Sequence, residues 1–265
     1  MRIVAQTSRR VAAVLSAAAA TALLLAGCAN TTTPEEDSAT ASSPLIIFAA
    51  ASLQGSLDEL AEEFETQHPE FAIAPIVYDG SQALATQIVD GADVDVVAFA
   101  NEPSLAPVTD AGVVGESTIF ATNTLQIAVA PGNPKGIDDL DDLANDDLAV
   151  VLCAPEVPCG MASHTLLDDA GVAVTPVSEE TNVTSVVTRV TNGEADAGLV
   201  YATDVAAAGD DLEGITPANA DAAVNRYPIA VSRSAPAPEA ARAFVDFVLS
   251  DSGQKVLAEY GFGAP

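Results

Sequence analysis

Tryptophan is absent from this 265-residue chain, and aromatic residues make up only 5% of it. Functions that rest on stacked rings, carbohydrate and single-stranded nucleic acid binding among them, therefore lack their platform. Positive charge is also scarce: nine Lys and Arg stand against 38 Asp and Glu, for a formal charge of −29. A surface of that sign repels phosphate backbones, which excludes nucleic acid as a partner. Two histidines, His68 and His164, leave little room for a metal site, and no cation ligands are expected. Iron would need clustered Tyr or His, and only Tyr78, Tyr201, Tyr227 and Tyr260 exist. No Gly-x-Ser-x-Gly segment occurs, so a hydrolase would lack its nucleophile elbow. His164 reads as a surface helix residue, and the chain is not expected to be an enzyme. Apolar side chains are plentiful, at 49% with a mean hydropathy of +0.30, which excludes a disordered chain. The length allows one large domain or two ordinary ones.

The first residues read as an export signal. Arg2, Arg9 and Arg10 precede an apolar run over 11–26, which at about 16 residues is short for a membrane span of ~20. It ends in Leu25-Ala26-Gly27-Cys28, which resembles a bacterial lipobox, where the Cys becomes the lipidated mature N-terminus. A plain secretory signal with an incidental Cys is the alternative. Cleavage before Cys28 removes three Arg and no acid, taking the charge from −29 to −32. The polar stretch through Ser43 lacks apolar periodicity, so residues 28–43 are expected to be a disordered tether. The protein would be extracytoplasmic, anchored to the cell membrane by lipid.

From Pro44 onward, strand and helix patterns alternate. Leu45–Ala49 is a continuous apolar run, as for a strand buried on both faces. Leu53, Leu57, Leu60, Ala61 and Phe64 give a helix with one apolar face. A strand over 71–78, a helix around Leu84 and Ile88, and a strand over 94–100 complete a βαβαβ order, which implies a parallel sheet. The second half repeats the style. Strands are expected over 124–130, 148–153, 197–201 and 227–232, with helices over 160–170 and 183–192. A final helical region over 240–260 should break near Gly253. The acidic stretch around Asp138–Asp147 lacks calcium-loop spacing and reads as a solvated face, with Leu140 and Leu143 on its apolar side. Two α/β halves with a ligand cleft between them are the natural partition.

In open α/β sheets, ligands bind beyond the carboxyl ends of strands, where helix starts present free N–H groups. Ser52 follows the first strand, Ser81 follows the second, Cys159-Gly160 opens one later helix, Val183 opens another, and Tyr201 ends a strand. Taken singly, each has an ordinary reading: the serines as N-caps, Val183 as core, and Tyr201 as strand-end packing. Together they suggest an anion site only weakly.

The order of motifs is more specific. Phe48-Ala-Ala-Ala-Ser52-Leu53, Gly80-Ser81-Gln82-Ala83-Leu84, Asp93-Val94-Asp95-Val96, Pro155-Glu156-Val157-Pro158-Cys159-Gly160 and Gly198-Leu199-Val200-Tyr201-Ala202-Thr203-Asp204 occur in sequence. Arg226-Tyr227-Pro228-Ile229-Ala230 and Tyr260-Gly261-Phe262 follow. The series resembles that of periplasmic molybdate-binding proteins, the substrate-binding components of molybdate ABC importers. The resemblance covers about residues 44–265. It implies a two-domain, periplasmic-binding-protein-like α/β fold of type II, with domain I over 44–121 plus 229–265 and domain II over 122–228. It implies molybdate, or tungstate, as ligand, with delivery to a membrane permease and no cofactor; sulfate or another tetrahedral oxyanion is the alternative. It also implies the donors. Ser52 and Ser81 would give hydroxyl and backbone N–H groups, Cys159 and Val183 backbone N–H groups, and Tyr201 its phenol. Cys159 departs from the family's usual Ala, which a backbone donor tolerates. A monomer is expected.

All five groups donate and none is a cation, which suits a fully deprotonated dianion. Hydrogenphosphate would bury a proton without an acceptor. With Cys28 lipidated, Cys153 and Cys159 are the remaining thiols, in a compartment where disulfides persist. A disulfide pinning the Cys159 turn is expected; two free buried thiols are the alternative.

Overall fold

The computed structural model describes residues 43–265. The export signal over 1–27, the lipidation site Cys28, and the tether apart from Ser43 lie outside the described residues. No described helix is long and apolar enough to cross a membrane.

The chain opens with strand β1 (Ile47–Ala50), then a 3-10 turn (Ala51–Leu53) leading into helix α1 (Gln54–Gln67). Strand β2 (Val77–Asp79), helix α2 (Ser81–Val89), strand β3 (Val96–Ala98) and helix α3 (Glu102–Asp110) follow. β1 pairs in parallel with both β2 and β3, as a βαβαβ order requires. The long strand β4 (Val114–Asn123) leads out of this region, and β5 (Leu125–Val129) begins the second. There, β6 (Val150–Cys153), α4 (Pro158–Ala170), β7 (Ser178–Glu180), α5 (Val183–Thr191) and β8 (Ala197–Tyr201) repeat the strand-helix alternation. Helix α6 (Ala202–Ala208) and strand β9 (Glu213–Ile215) complete it. Strand β10 (Asn225–Ser232) returns to the first sheet, and helices α7 (Pro238–Leu249) and α8 (Asp251–Glu259) cover it.

The result is two five-stranded mixed sheets, ordered β2-β1-β3-β10-β4 and β7-β6-β8-β5-β9. They lie within one compact unit that takes in all the described residues. Alternation decides which side of the first sheet each residue buries. Ile47, Ala49, Val96 and Ala98 pack with Leu57, Leu60, Phe64 and Phe244. Phe48, Val97 and Phe99 face the other way, against Leu84, Ile88 and Val108. The second sheet has its own core of Ile127, Val151, Leu166, Val186 and Leu199.

Several boundaries differ from the sequence expectations. The strand expected over 71–78 is confined to Val77–Asp79, with Ile73 making only an isolated bridge to Leu45. β4 runs to Asn123, and β10 already starts at Asn225 beside it. The passages between sheets therefore fall at Thr124 and within 216–224, a few residues from the expected domain limits. The final helical region breaks at Ser250, whose hydroxyl accepts from the Gly253 N–H and so caps α8. Gly253 lies inside α8, where a Cβ would strike the carbonyls of Phe247 and Val248. Close approach explains that glycine better than helix termination.

Candidate functional site

The ends of six strands meet around one small cavity. β1 delivers Ala50, Ala51 and Ser52; β2 delivers Asp79, Gly80 and Ser81; β3 leads to Ala100. From the second sheet, β6 leads to Val157, Pro158 and Cys159, β7 to Asn182 and Val183, and β8 ends on Tyr201. All five residues singled out from the sequence thus line the same cavity. None of its lining residues is Lys or Arg. Nearby cations are engaged elsewhere: Arg226 pairs with Glu102, and Arg189 with Glu180 and Glu194.

The serines are not the ordinary caps that their positions suggest. The 3-10 turn before α1 has Ala50 at its N-cap, α2 has Gly80, and neither end has a side-chain cap bond. The α4 start, with Val157 as N-cap and Pro158 next, is also uncapped by a side chain. By contrast, α3 is capped by Asn101 and α8 by Ser250. A helix start has N–H groups without an intrahelical acceptor. At the cavity those groups and the positive dipole ends are left for a ligand. α5 is a mixed case, because Asn182 caps it through the Ser185 N–H. Its cap accepts deeper in the first turn, at N3, rather than at Val183.

The hydroxyls are held from behind. Ser81 Oγ accepts from the Ala100 N–H at 3.0 Å. Ser52 Oγ lies 3.1 Å from the Tyr227 hydroxyl. Tyr201, 1% exposed, accepts from Asn225 Nδ2 at 3.0 Å. Burial, with smaller contributions from Tyr227 and Asp204, pushes the Tyr201 phenol well above its ordinary pKa, so it stays a protonated donor. Tyr227 is pushed up by burial in the same way. The Asp204 carboxyl is raised to about 7 by burial, against the lowering effect of the Tyr201 N–H it accepts.

Cys153 and Cys159 are disulfide-bonded, with Cα atoms 5.7 Å apart. The bridge ties the end of β6 to the first turn of α4. Gly160 follows, and a Cβ there would collide with the Ala154 carbonyl. The turn bearing the Cys159 N–H is therefore held by a covalent link and by close backbone packing.

Polar contacts join the two halves across the cavity. Asp79 Oδ1 accepts from Gly80 N–H at 2.7 Å and from Asn182 Nδ2 at 3.0 Å. Gln82 Nε2 donates to the Thr181 carbonyl, and Asn123 Nδ2 donates to Thr203 Oγ1, each at 2.8 Å. Sequence reasoning missed Asp79, Asn123 and Asn225. Asn182 carried a legible cap signature, an Asn immediately before an apolar helical run. The other three show no local pattern for this role, because Asn182, Thr203 and Ala100, which they reach, lie 103, 80 and 125 positions away.

The family described as bacterial extracellular solute-binding protein matches residues 45–263. The chain is 41% identical over 219 residues to the molybdate-binding protein ModA of Mycobacterium tuberculosis, covering 82% of this chain and 84% of that one. Among solved structures, the Azotobacter vinelandii periplasmic molybdate-binding protein superposes with a TM-score of 0.71 at 21% identity, covering 83% of this chain and 99% of that one. The sulfate-binding protein SubI of Mycobacterium tuberculosis gives 0.72 at 20% identity, covering 83% and 86%. At such identities the two structures establish a shared fold and do not choose between their anions. With the family match spanning nearly all the described residues, the chain belongs to the bacterial extracellular solute-binding proteins.

Proposed function

We propose that the protein binds molybdate, and tungstate with it, outside the cytoplasm and delivers it to the membrane permease of an ABC importer. The observation that carries this reading is the convergence of Ser52, Ser81, Cys159, Val183 and Tyr201 on one cation-free cavity. The 41% identity to a molybdate-binding relative supports it. Ser52, Ser81 and Tyr201 donate from side chains, while the helix starts at Ser52, Ser81, Cys159 and Val183 donate from the backbone. Charge-assisted bonds contribute about 1.5–3 kcal/mol each, enough collectively to offset desolvation of a dianion. Contacts across the cavity let the two halves close on the anion. The protein works as a carrier without catalytic groups, a monomer held to the membrane by lipid on Cys28.

One feature favours a second reading. Asp79 lines the cavity, and a carboxylate can accept the proton of hydrogenphosphate. Its Oδ1 already accepts two N–H groups, which ties that oxygen to the wall. Calorimetry with molybdate, tungstate, sulfate and phosphate decides between them. Molybdate and tungstate are expected to bind far more tightly than the other two. Tightest binding of phosphate or sulfate would overturn the molybdate reading.

A further inference from the structure

We infer that Asn225 is a specificity-determining positioning residue, whose side-chain amide fixes the Tyr201 phenol as a hydrogen-bond donor toward the bound oxyanion. The inference rests on the oxyanion-binding reading and deepens it, since it explains how a neutral hydroxyl acquires a direction.

The orientation of the Asn225 amide follows from the backbone. One of its terminal atoms lies 3.0 Å from the Ala100 carbonyl, which can only accept, so that atom is the NH₂ group. The same NH₂ lies 3.0 Å from the Tyr201 hydroxyl and can only donate to it. With a donor on that side, the phenol cannot aim its own proton at Asn225. Two directions remain, the cavity and the Tyr227 hydroxyl. A full anionic charge in the cavity outcompetes a neutral hydroxyl, because charge-assisted bonds are roughly twice as strong. Asn225 is itself buried, at 5% exposure, so water does not replace its amide.

The same logic recurs around the cavity. The Ala100 N–H fills a lone pair of Ser81 Oγ, leaving the serine proton for the ligand. Ala100 thus orients one hydroxyl with its N–H and anchors the amide that orients another with its carbonyl. Behind Ser52, the Asn123 amide is oriented by the Thr124 N–H, which donates to its Oδ1 at 3.0 Å. Its Nδ2 faces the Tyr227 hydroxyl at 3.5 Å, and Tyr227 faces Ser52. Backbone groups therefore set the polarity of the wall, and the hydroxyls relay it inward. Such a wall favours an anion whose oxygens are all acceptors over one that carries a proton.

The test measures molybdate and hydrogenphosphate affinities for wild type, Asn225→Asp, Tyr201→Phe and the double variant. Asn225→Asp keeps the size and replaces the donor by an acceptor, which turns the Tyr201 proton away from the cavity. Molybdate affinity should fall by about tenfold or more, with hydrogenphosphate unchanged or tighter. In the Tyr201→Phe background the same substitution should cost less than about twofold, since the group it acts through is gone. A merely structural role would weaken both anions by the same factor, and the two substitutions would multiply; either result overturns the inference. Should Asn225→Asp fail to fold, Asn225→Leu in the same cycle reads the same coupling. If wild type takes sulfate instead of molybdate, the molybdate reading falls, and the cycle run with sulfate still decides the role of Asn225.

Discussion

Ser52 and Ser81 occupy positions where serine is usually explained by helix capping, yet neither hydroxyl caps. Ser81 is the more constrained, since Ala100 holds it from behind. Ser52→Ala, Ser81→Ala and Tyr201→Phe should each weaken molybdate binding by about 1–3 kcal/mol, measured by calorimetry. Wild-type affinity in all three variants would remove these groups from the site. Asp204 offers a different test. Its carboxyl is raised from 3.8 to about 7, so the native state holds a proton that the unfolded chain releases at lower pH. Its contribution to stability therefore declines as pH rises from about 4 to about 7, and above that its full cost persists. Asp204→Asn keeps an acceptor for the Tyr201 N–H and should raise the melting temperature at pH 8 but not at pH 4. An equal gain at both values would rule out the raised carboxyl as the cause.

At the scale of the element, α4 shows how a helix start is readied for a ligand. Val157 leaves its N-terminus without a side-chain cap, Pro158 sets the first turn, and Gly160 lets it lie against Ala154. The disulfide from Cys153 to Cys159 then closes a short loop. Because the loop is short, its stabilisation should be about 2 kcal/mol. Its larger effect should be to hold the Cys159 N–H in place before an anion arrives, lowering the ordering cost of binding. The unfolded, unreduced protein should show no titratable thiol from Cys153 or Cys159. The Cys153→Ala, Cys159→Ala double variant should lose stability and bind molybdate more weakly. Unchanged affinity in that variant would leave the bridge a purely structural role.

For the whole molecule, the two sheets meet across a cavity bridged by Asp79–Asn182, Gln82–Thr181 and Asn123–Thr203. Gly80 sits at this seam, where a Cβ would run into the Thr181 carbonyl of the facing half. Saturating molybdate should compact the wild type in X-ray scattering and raise its melting temperature by mass action. Gly80→Val should block the compaction and reduce the thermal gain, because the seam can no longer close. Equal compaction in the variant would show that closure does not pass through Gly80. The negative surface does not contradict an anionic ligand. Salt screens exposed charge within about 8–10 Å, while the N–H groups at the cavity act at contact. Net charge bears mainly on the rate of approach.

Local rules carried much of this protein. Residue spacing alone marked β8 at Ala197–Tyr201 and the α5 start at Val183, as well as the α4 end at Gly171, whose φ of 69° suits glycine. It also put Ser52 and Ser81 at strand ends, because period and punctuation are properties of neighbouring residues. The motif order suggested which helix starts to group together. What it left out are contacts over long separations: Asn225 with Ala100 across 125 positions, Asn182 with Asp79 across 103, and Asn123 with Thr203 across 80. No local periodicity encodes those pairs. They exist because β10 returns antiparallel between β3 and β4, and because two separately built sheets face each other. The sequence by itself determined which residues end strands and open helices; only the tertiary structure decided which buried amides stand behind their hydroxyls. Hydrogen-bond direction depends on neighbours in space, and burial removes the water that would otherwise satisfy either orientation.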